Sequence, residues 1–123
     1  MKTLLRKMEK VNEIVAKWLE IFNLQSWVIK IKFKSPELMG GDLARVRTNY
    51  NYYRANISVR SNAEYEDFEY ILLHELTHIL VGETDHVMMD LVGDCISERE
   101  EMQIVDAGER TVSRLVAIFM KRK

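Results

Sequence analysis

The segment from residue 62 to residue 82 carries the strongest structural signal in this chain of 123 residues. Its apolar residues recur at spacings of three and four, which is the period of one face of an α-helix. They are Phe68, Ile71, Leu72, Leu76, Ile79 and Leu80. Ser61 and Glu64 have capping-box spacing, so the helix is expected to begin near residue 62. Gly82 marks its expected end.

The same segment contains an H-E-x-x-H motif, His74-Glu75-Leu76-Thr77-His78. Residues four apart lie on the same face of a helix, so both histidines can point at one cation, and Glu75 flanks that face. The pattern is typical of a zinc peptidase, in which two imidazoles bind the metal and the carboxylate acts as general base. The alternative is that the histidines are ordinary helix residues and that the glutamate is a solvated charge.

A catalytic zinc ion usually has three protein ligands, so the motif alone is incomplete. The pattern H-E-x-x-H-x-x-G-x-x-H is excluded because Val81 and Thr84 occupy the positions of its glycine and third histidine. The remaining candidates are Asp85, His86, Asp90, Asp94, Glu98, Glu100, Glu101, Asp106 and Glu109. Glu101 and Glu109 lie on or beside an apolar stripe, where a carboxylate is costly unless it is paired or bound to a metal. The spacing does not decide between these two.

Two further helices are predicted. A continuous apolar stripe indicates an N-terminal helix over residues 3–23. Residues 83–95 are expected to form a loop with at most one helical turn. Ser97 and Glu100 then repeat the capping-box spacing, which accounts for Glu100 as a cap and opens a long helix over residues 98–121.

Three strands are predicted between the first two helices. Residues 27–34 alternate strictly between apolar and polar, as expected of a half-buried strand. Residues 43–48 and 54–60 form a hairpin around a tyrosine-rich turn. The chain is therefore expected to adopt an α+β fold over residues 1–123 as a single domain. Its N-terminal helix and motif helix pack on one face of a small twisted sheet of about three strands, and its C-terminal helix closes the site. The strand order is not readable from the sequence.

Composition favours a globular, cytoplasmic protein. The formal net charge is -1, which gives no global argument for binding to nucleic acid or to an anionic membrane. Cys95 is the single cysteine, so an internal disulfide is excluded. The N-terminus lacks the uninterrupted apolar run of a signal peptide. Lys30, Lys32 and Lys34 alternate along one strand face and could contact phosphate, but such lysines more often guard a sheet edge.

The layout resembles the small phage- and prophage-associated zincin-like metallopeptidases, which are related in organisation to the ImmA/IrrE-like and SprT-like families. The resemblance extends over most of the chain. It rests on the tryptophan-led strand Trp27-Val28-Ile29, on Ala55-Asn56-Ile57, on I-L-L-H-E-L-T-H-I-L at 71–80 and on the C-terminal helix. Only the H-E-x-x-H segment is highly specific. The resemblance implies a minimal zincin-like domain that binds Zn²⁺.

The resemblance also bears on the third ligand. These families carry a glutamate followed by apolar residues three and six positions later, which Glu109, Val112 and Leu115 match. The resemblance therefore implies that Glu109 joins His74 and His78 at the metal. SprT-like proteins use a third histidine instead, so His86 is the second choice. Its simpler interpretation is a surface histidine.

The resulting hypothesis is zinc-dependent hydrolysis of a peptide bond, with Glu75 as general base. Strand 54–60 is expected to pair with an extended peptide or protein substrate. The residues considered for oxyanion stabilisation are Tyr50, Tyr52, Tyr53, His86 and Arg60, and none is assigned. One alternative is a non-catalytic zinc-binding interaction module whose groove is completed by a partner protein. The other is a DNA-associated, SprT-like peptidase, which only the three strand lysines support.

Overall fold

The computed structural model describes residues 2–92 and 94–122. Its elements confirm the predicted α+β layout, with an N-terminal helix, a three-stranded sheet, the motif helix and a long C-terminal helix. They are α1 (Lys2–Ile21), β1 (Val28–Lys34), α2 (Pro36–Met39), β2 (Ala44–Asn49), β3 (Arg54–Arg60), a 3₁₀ turn (Tyr65–Asp67), α3 (Phe68–Val92) and α4 (Glu98–Arg122). No helix within these described ranges is long and apolar enough to cross a membrane.

The sheet has the order β1-β3-β2, so the last strand in the chain lies at the centre. β3 pairs in parallel with β1 and antiparallel with β2, which confirms the predicted hairpin. Ala55, Ile57 and Val59 are buried on the inner face of the sheet, against α3. The expectation that strand 54–60 pairs with a substrate is wrong, because both of its edges are already paired within the sheet.

The α3 helix lies at the centre of the fold. Its first half supplies fully buried side chains, and α1 and α4 pack against it. The fully buried members of this core include Phe68, Leu72, Leu73, Leu76 and Ile79 from α3, with Val11 from α1 and Val112 and Val116 from α4. Trp18 of α1 donates a hydrogen bond from Nε1 to Glu69 Oε1 at 3.2 Å. Burial on several sides holds the motif turn of α3 rigidly in place.

The predicted start of α3 near residue 62 is wrong. Ser61 belongs to the end of the sheet, where its backbone N–H donates to Lys34 O at 2.8 Å. Glu64 precedes the 3₁₀ turn and makes no side-chain capping hydrogen bond, so the Ser61–Glu64 capping box does not form. The α-helix itself begins at Phe68.

The predicted end of α3 at Gly82 is also wrong, because the helix continues to Val92 and most of the expected loop at 83–95 is helical. Gly82 serves packing instead. A Cβ atom at this position would overlap the hydroxyl of Tyr50 and would lie 3.2 Å from its Cζ. The tyrosine ring has little room to retreat, because it packs edge-on against Trp27 and is stacked on His86. The glycine lets the tyrosine lie directly on the helix.

Replacing Gly82 with alanine is therefore expected to lower the free energy of unfolding by about 1–3 kcal/mol through overpacking. This direction is opposite to the gain of about 1 kcal/mol that alanine normally brings to a helix interior. In a Tyr50→Phe background the loss should be smaller, because the overlapping hydroxyl is gone. Urea denaturation of the two single variants and the double variant measures this coupling. If the stability changes of Gly82→Ala and Tyr50→Phe simply add in the double variant, the contact between these two positions is refuted.

The capping box predicted at the start of α4 is confirmed. The backbone N–H of Ser97 donates to Glu100 Oε1 at 3.0 Å, and the backbone N–H of Glu100 donates to Ser97 Oγ at 3.2 Å. These reciprocal bonds satisfy two amide groups at the exposed end of the helix. They also account for Glu100 without any role at a metal.

Candidate metal centre

Two helices bring three candidate ligands together. His74 and His78 lie one turn apart on α3, and their Nε2 atoms are 3.2 Å from each other. Glu109 approaches from α4, with Oε2 at 3.5 Å from His78 Nε2. One ligand atom from each residue lies within 4.8 Å of the other two, so this group could hold a metal ion.

The two ligand separations at His78 suit a small cation. Two atoms that each bind a tetrahedral zinc ion at 2.0–2.1 Å are about 3.3 Å apart. The two distances at His78 are close to that value. The Glu109 side chain is 56% exposed, so it is free to adjust toward an ion. Two imidazoles with one carboxylate form a donor set that zinc commonly takes.

The other candidate ligands do not join this group. Glu101 is exposed on α4, more than two turns before Glu109. His86 stacks on Tyr50, with ring centroids 5.1 Å apart, and its Nε2 lies 3.5 Å from Asp90 Oδ2. Across residues 2–92 and 94–122, His74, His78 and Glu109 form the one group of three or more that could bind an ion.

Gly108 of α4 lies where this helix packs closely against α3. A Cβ on Gly108 would lie 2.8 Å from Asp85 Oδ2, so the bare backbone leaves space for this carboxylate. Gly108 directly precedes Glu109. Next to them a cavity of about 160 Å³ opens between the helices, lined by His78, Glu109 and their neighbours. Two of the three candidate ligands, His78 and Glu109, therefore border an open space, whereas a purely structural ion is normally enclosed by four protein ligands.

Glu75 lies beside the ligands but faces inward, with only 8% of its surface exposed. Burial, together with the smaller effects of the nearby carboxylates of Glu109 and Asp42, raises the pKa of its carboxyl group from 4.5 to about 7. Asp42 was not identified from the sequence, because it lies in an irregular loop where no periodicity reports its neighbours. A carboxyl group with this pKa is suited to exchange protons near neutral pH.

The imidazole of His74 is also shifted toward its neutral form. Burial lowers the pKa of His74, the neighbouring His78 lowers it further, and Glu109 partly opposes both effects. Neutral imidazole is the form that binds metals. His74 Nδ1 is buried and has no hydrogen-bond partner among the described residues.

The residues considered for oxyanion stabilisation lie outside the ligand group. The Tyr50 ring is held between Trp27 and His86, and burial raises the pKa of its hydroxyl, so it remains protonated at neutral pH. Tyr52 and Tyr53 are exposed in the turn between β2 and β3. Arg60 donates from Nη2 to Gly40 O at 3.3 Å. No contact assigns this role to any of them.

No family model, curated protein or solved structure matches this chain. The fold and the ligand group together define an α+β domain with a candidate metal centre between α3 and α4.

Proposed function

We propose that this chain is a zinc-dependent metallopeptidase with a minimal zincin-like domain. The observation that carries the proposal is the convergence of His74, His78 and Glu109 beside a buried glutamate of raised pKa. The two histidines and Glu109 would hold the ion, and Glu75 would serve as general base. The cavity beside the ligands supports a site that admits a reacting group, as catalytic zinc requires.

The protein groups have distinct tasks in this mechanism. A zinc ion held by His74, His78 and Glu109 would act as a Lewis acid, lowering the pKa of a water molecule and polarising a carbonyl oxygen. Glu75 accepts a proton from the attacking water and returns it to the amine that leaves. Its burial keeps bulk water away from the proton that it carries. A cation at the ligands would also favour the ionised form of Glu75, because a positive charge reverses the effect of burial on a carboxylate.

An extended substrate is proposed to pair with β2. This strand is an edge of the sheet, since among the described strands it pairs with β3 alone, and it packs against α3. Asp42, two residues before β2, is close enough to influence Glu75 electrostatically. Main-chain pairing along Ala44–Asn49 would present a peptide bond to the site with little dependence on side chains.

Metal content tests the ligand set. Protein purified without a histidine tag is expected to hold about one zinc ion per chain after reconstitution. His78→Ala should abolish this binding. Glu109→Gln should weaken it by at least about tenfold, because an amide oxygen is a poorer ligand than a carboxylate. His86→Ala is the matched control and should bind as the wild type does. Elemental analysis and a competition titration with a chelator give the stoichiometry and the affinity.

Two results would overturn this assignment. A wild-type protein that takes up no zinc, even after reconstitution, would remove the metallopeptidase proposal. Loss of binding in His86→Ala but not in Glu109→Gln would transfer the third ligand to His86 and would require α3 and Tyr50 to rearrange.

A further inference from the structure

The outer face of the sheet, which points away from α3, is strongly basic. The sequences of β1, β2 and β3 contain no acidic residue. At the positions that alternate with the buried ones they carry Lys30, Lys32, Lys34, Arg45, Arg47, Arg54 and Arg60. All of them are exposed except Arg60, which is half-buried. We call this surface, formed by the seven basic residues, the basic face.

Strand pairing arranges these cations as a two-dimensional array. Ser58 of the central strand lies between Lys32 and Arg45, and its neighbour Asn56 lies between Lys30 and Arg47. Residues two apart along a strand are about 7 Å from each other, and adjacent strands are about 4.8 Å apart. Cations therefore recur in both directions, with neutral polar side chains between them.

Most of this charge is uncompensated. Arg45 pairs with Asp42 at 2.6 Å and donates to Met39 O at 2.7 Å, and Arg60 donates to Gly40 O. The other five, Lys30, Lys32, Lys34, Arg47 and Arg54, make no ion pair within residues 2–92 and 94–122. Protection of a sheet edge explains basic residues on β1 and β2, but not those on the central strand, which has no free edge.

Two cavities lie along the basic face and share Asn56. The larger, of about 310 Å³, is lined by four of the cations, by Asn56 and Ser58, and by the apolar residues Met39 and Ile57. The smaller, of about 290 Å³, adds Lys30 and Arg54 together with Val28 and Ala55. No acidic residue lines either cavity. The surface thus offers concave positions in which an anionic group can contact several donors at once.

We propose that the basic face binds the sugar-phosphate backbone of duplex nucleic acid. Nucleic-acid interfaces are polar and strongly positive, whereas protein partners are usually held by a central apolar or aromatic cluster. The outward positions of the strands hold only one apolar side chain, Val28, and no aromatic one. Proteins that bind single strands stack the exposed bases on aromatic side chains, and this face offers none. We therefore expect it to contact the phosphates of a duplex, whose bases are already stacked on each other.

The net charge of the whole chain does not indicate this basic surface. Residues 83–109 contain nine acidic residues and one basic residue, so they cancel the charge of the sheet in the total of -1. The fold separates the two regions, because α3 lies on the inner face of the sheet and the basic face points the other way. The proposal does not depend on the metallopeptidase assignment.

Fluorescence anisotropy with duplex DNA and duplex RNA of about twenty base pairs tests this proposal. Comparing the two probes shows which kind of duplex the basic face binds. We expect dissociation constants near the micromolar range at low salt, as is usual for sequence-independent binding. The triple variant Lys32→Gln, Arg47→Gln, Arg54→Gln should bind at least about tenfold more weakly. Its slope of log K against log salt should be shallower by about three.

The matched control is Arg6→Gln, Lys10→Gln, Arg114→Gln, which changes the net charge equally at exposed residues on α1 and α4. It should bind like the wild type, and circular dichroism should show that both variants are folded. Absence of duplex binding at low salt, or an equal loss in the control, would overturn the proposal. So would tighter binding to a single strand, to phosphatidylserine vesicles or to polyglutamate than to either duplex.

Discussion

Replacing Glu75 with glutamine is expected to leave zinc binding intact and to lower the turnover number by at least about 100-fold. Glutamine has nearly the same shape but cannot accept a proton from water. Glu75 is not part of the ligand group, so the metal should remain. The measurement is cleavage of an unfolded protein by the zinc-loaded enzyme, with peptide products counted by mass spectrometry. Glu101→Gln, an equivalent change on the exposed surface of α4, should alter neither property.

The outcome separates the candidate functions. Unchanged hydrolysis in Glu75→Gln would refute its role as general base. A wild-type protein that binds zinc but cleaves nothing, and whose cellular phenotype is lost in His74→Ala but not in Glu75→Gln, would favour a non-catalytic interaction module. Such a module needs the ion but no proton acceptor beside it.

The second large effect concerns the metal-free protein. The folded chain holds the Glu75 proton more tightly than the unfolded chain, because burial, with smaller contributions from Glu109 and Asp42, raises the pKa from 4.5 to about 7. Between these pH values the folded state binds the extra proton, so rising pH removes stability. This contribution is fully present below pH 4.5 and is lost as the pH passes 7. The corresponding free energy is at most about 3 kcal/mol.

Glu75→Gln isolates this contribution, because glutamine does not ionise. The stability of the variant relative to wild type should rise by up to about 3 kcal/mol between pH 4.5 and pH 7.5. Urea denaturation in the presence of a chelator measures both proteins across that range, with Glu101→Gln as control. A stability difference that does not change with pH would show that water reaches the carboxylate and that burial does not raise its pKa.

Sequence patterns correctly predicted those helices and strands that are determined by residues close together in the sequence. The alternation in 27–34 and 54–60 reflects burial on one side of the sheet, and the apolar spacing in 68–80 reflects the core face of α3. The Ser97–Glu100 capping box forms as predicted because both of its hydrogen bonds join residues only three apart.

The ends of α3 depend on residues that are distant in sequence. Ser61 resembles a helix cap, but its backbone N–H donates a hydrogen bond to Lys34 O at the end of the sheet. Gly82 resembles a stop, but a glycine within a helix costs only about 1 kcal/mol. Packing of Tyr50 and of α4 against the second half of α3 is available to offset that cost. The residues adjacent in sequence to Ser61 or Gly82 do not reveal these long-range contacts.

The ligand group shows the same limit. Glu101 and Glu109 are eight residues apart on α4, and each lies on or beside the apolar stripe, so periodicity alone does not distinguish them. They differ by about 12 Å along the helix axis. The position at which α4 crosses α3 places Glu109, and not Glu101, beside His78.

The central position of β3 dictates the order in which the sheet can assemble on the ribosome. β1 and β2 emerge first, yet they do not pair with each other and must wait for β3. The β2–β3 hairpin is local and can close within about 10 μs of its emergence. β1 joins later, since its pairing of Val28 with Arg54 must close a longer loop. A nascent chain halted before Arg54 would carry two unpaired strands, which is a state that chaperones recognise and that aggregates readily.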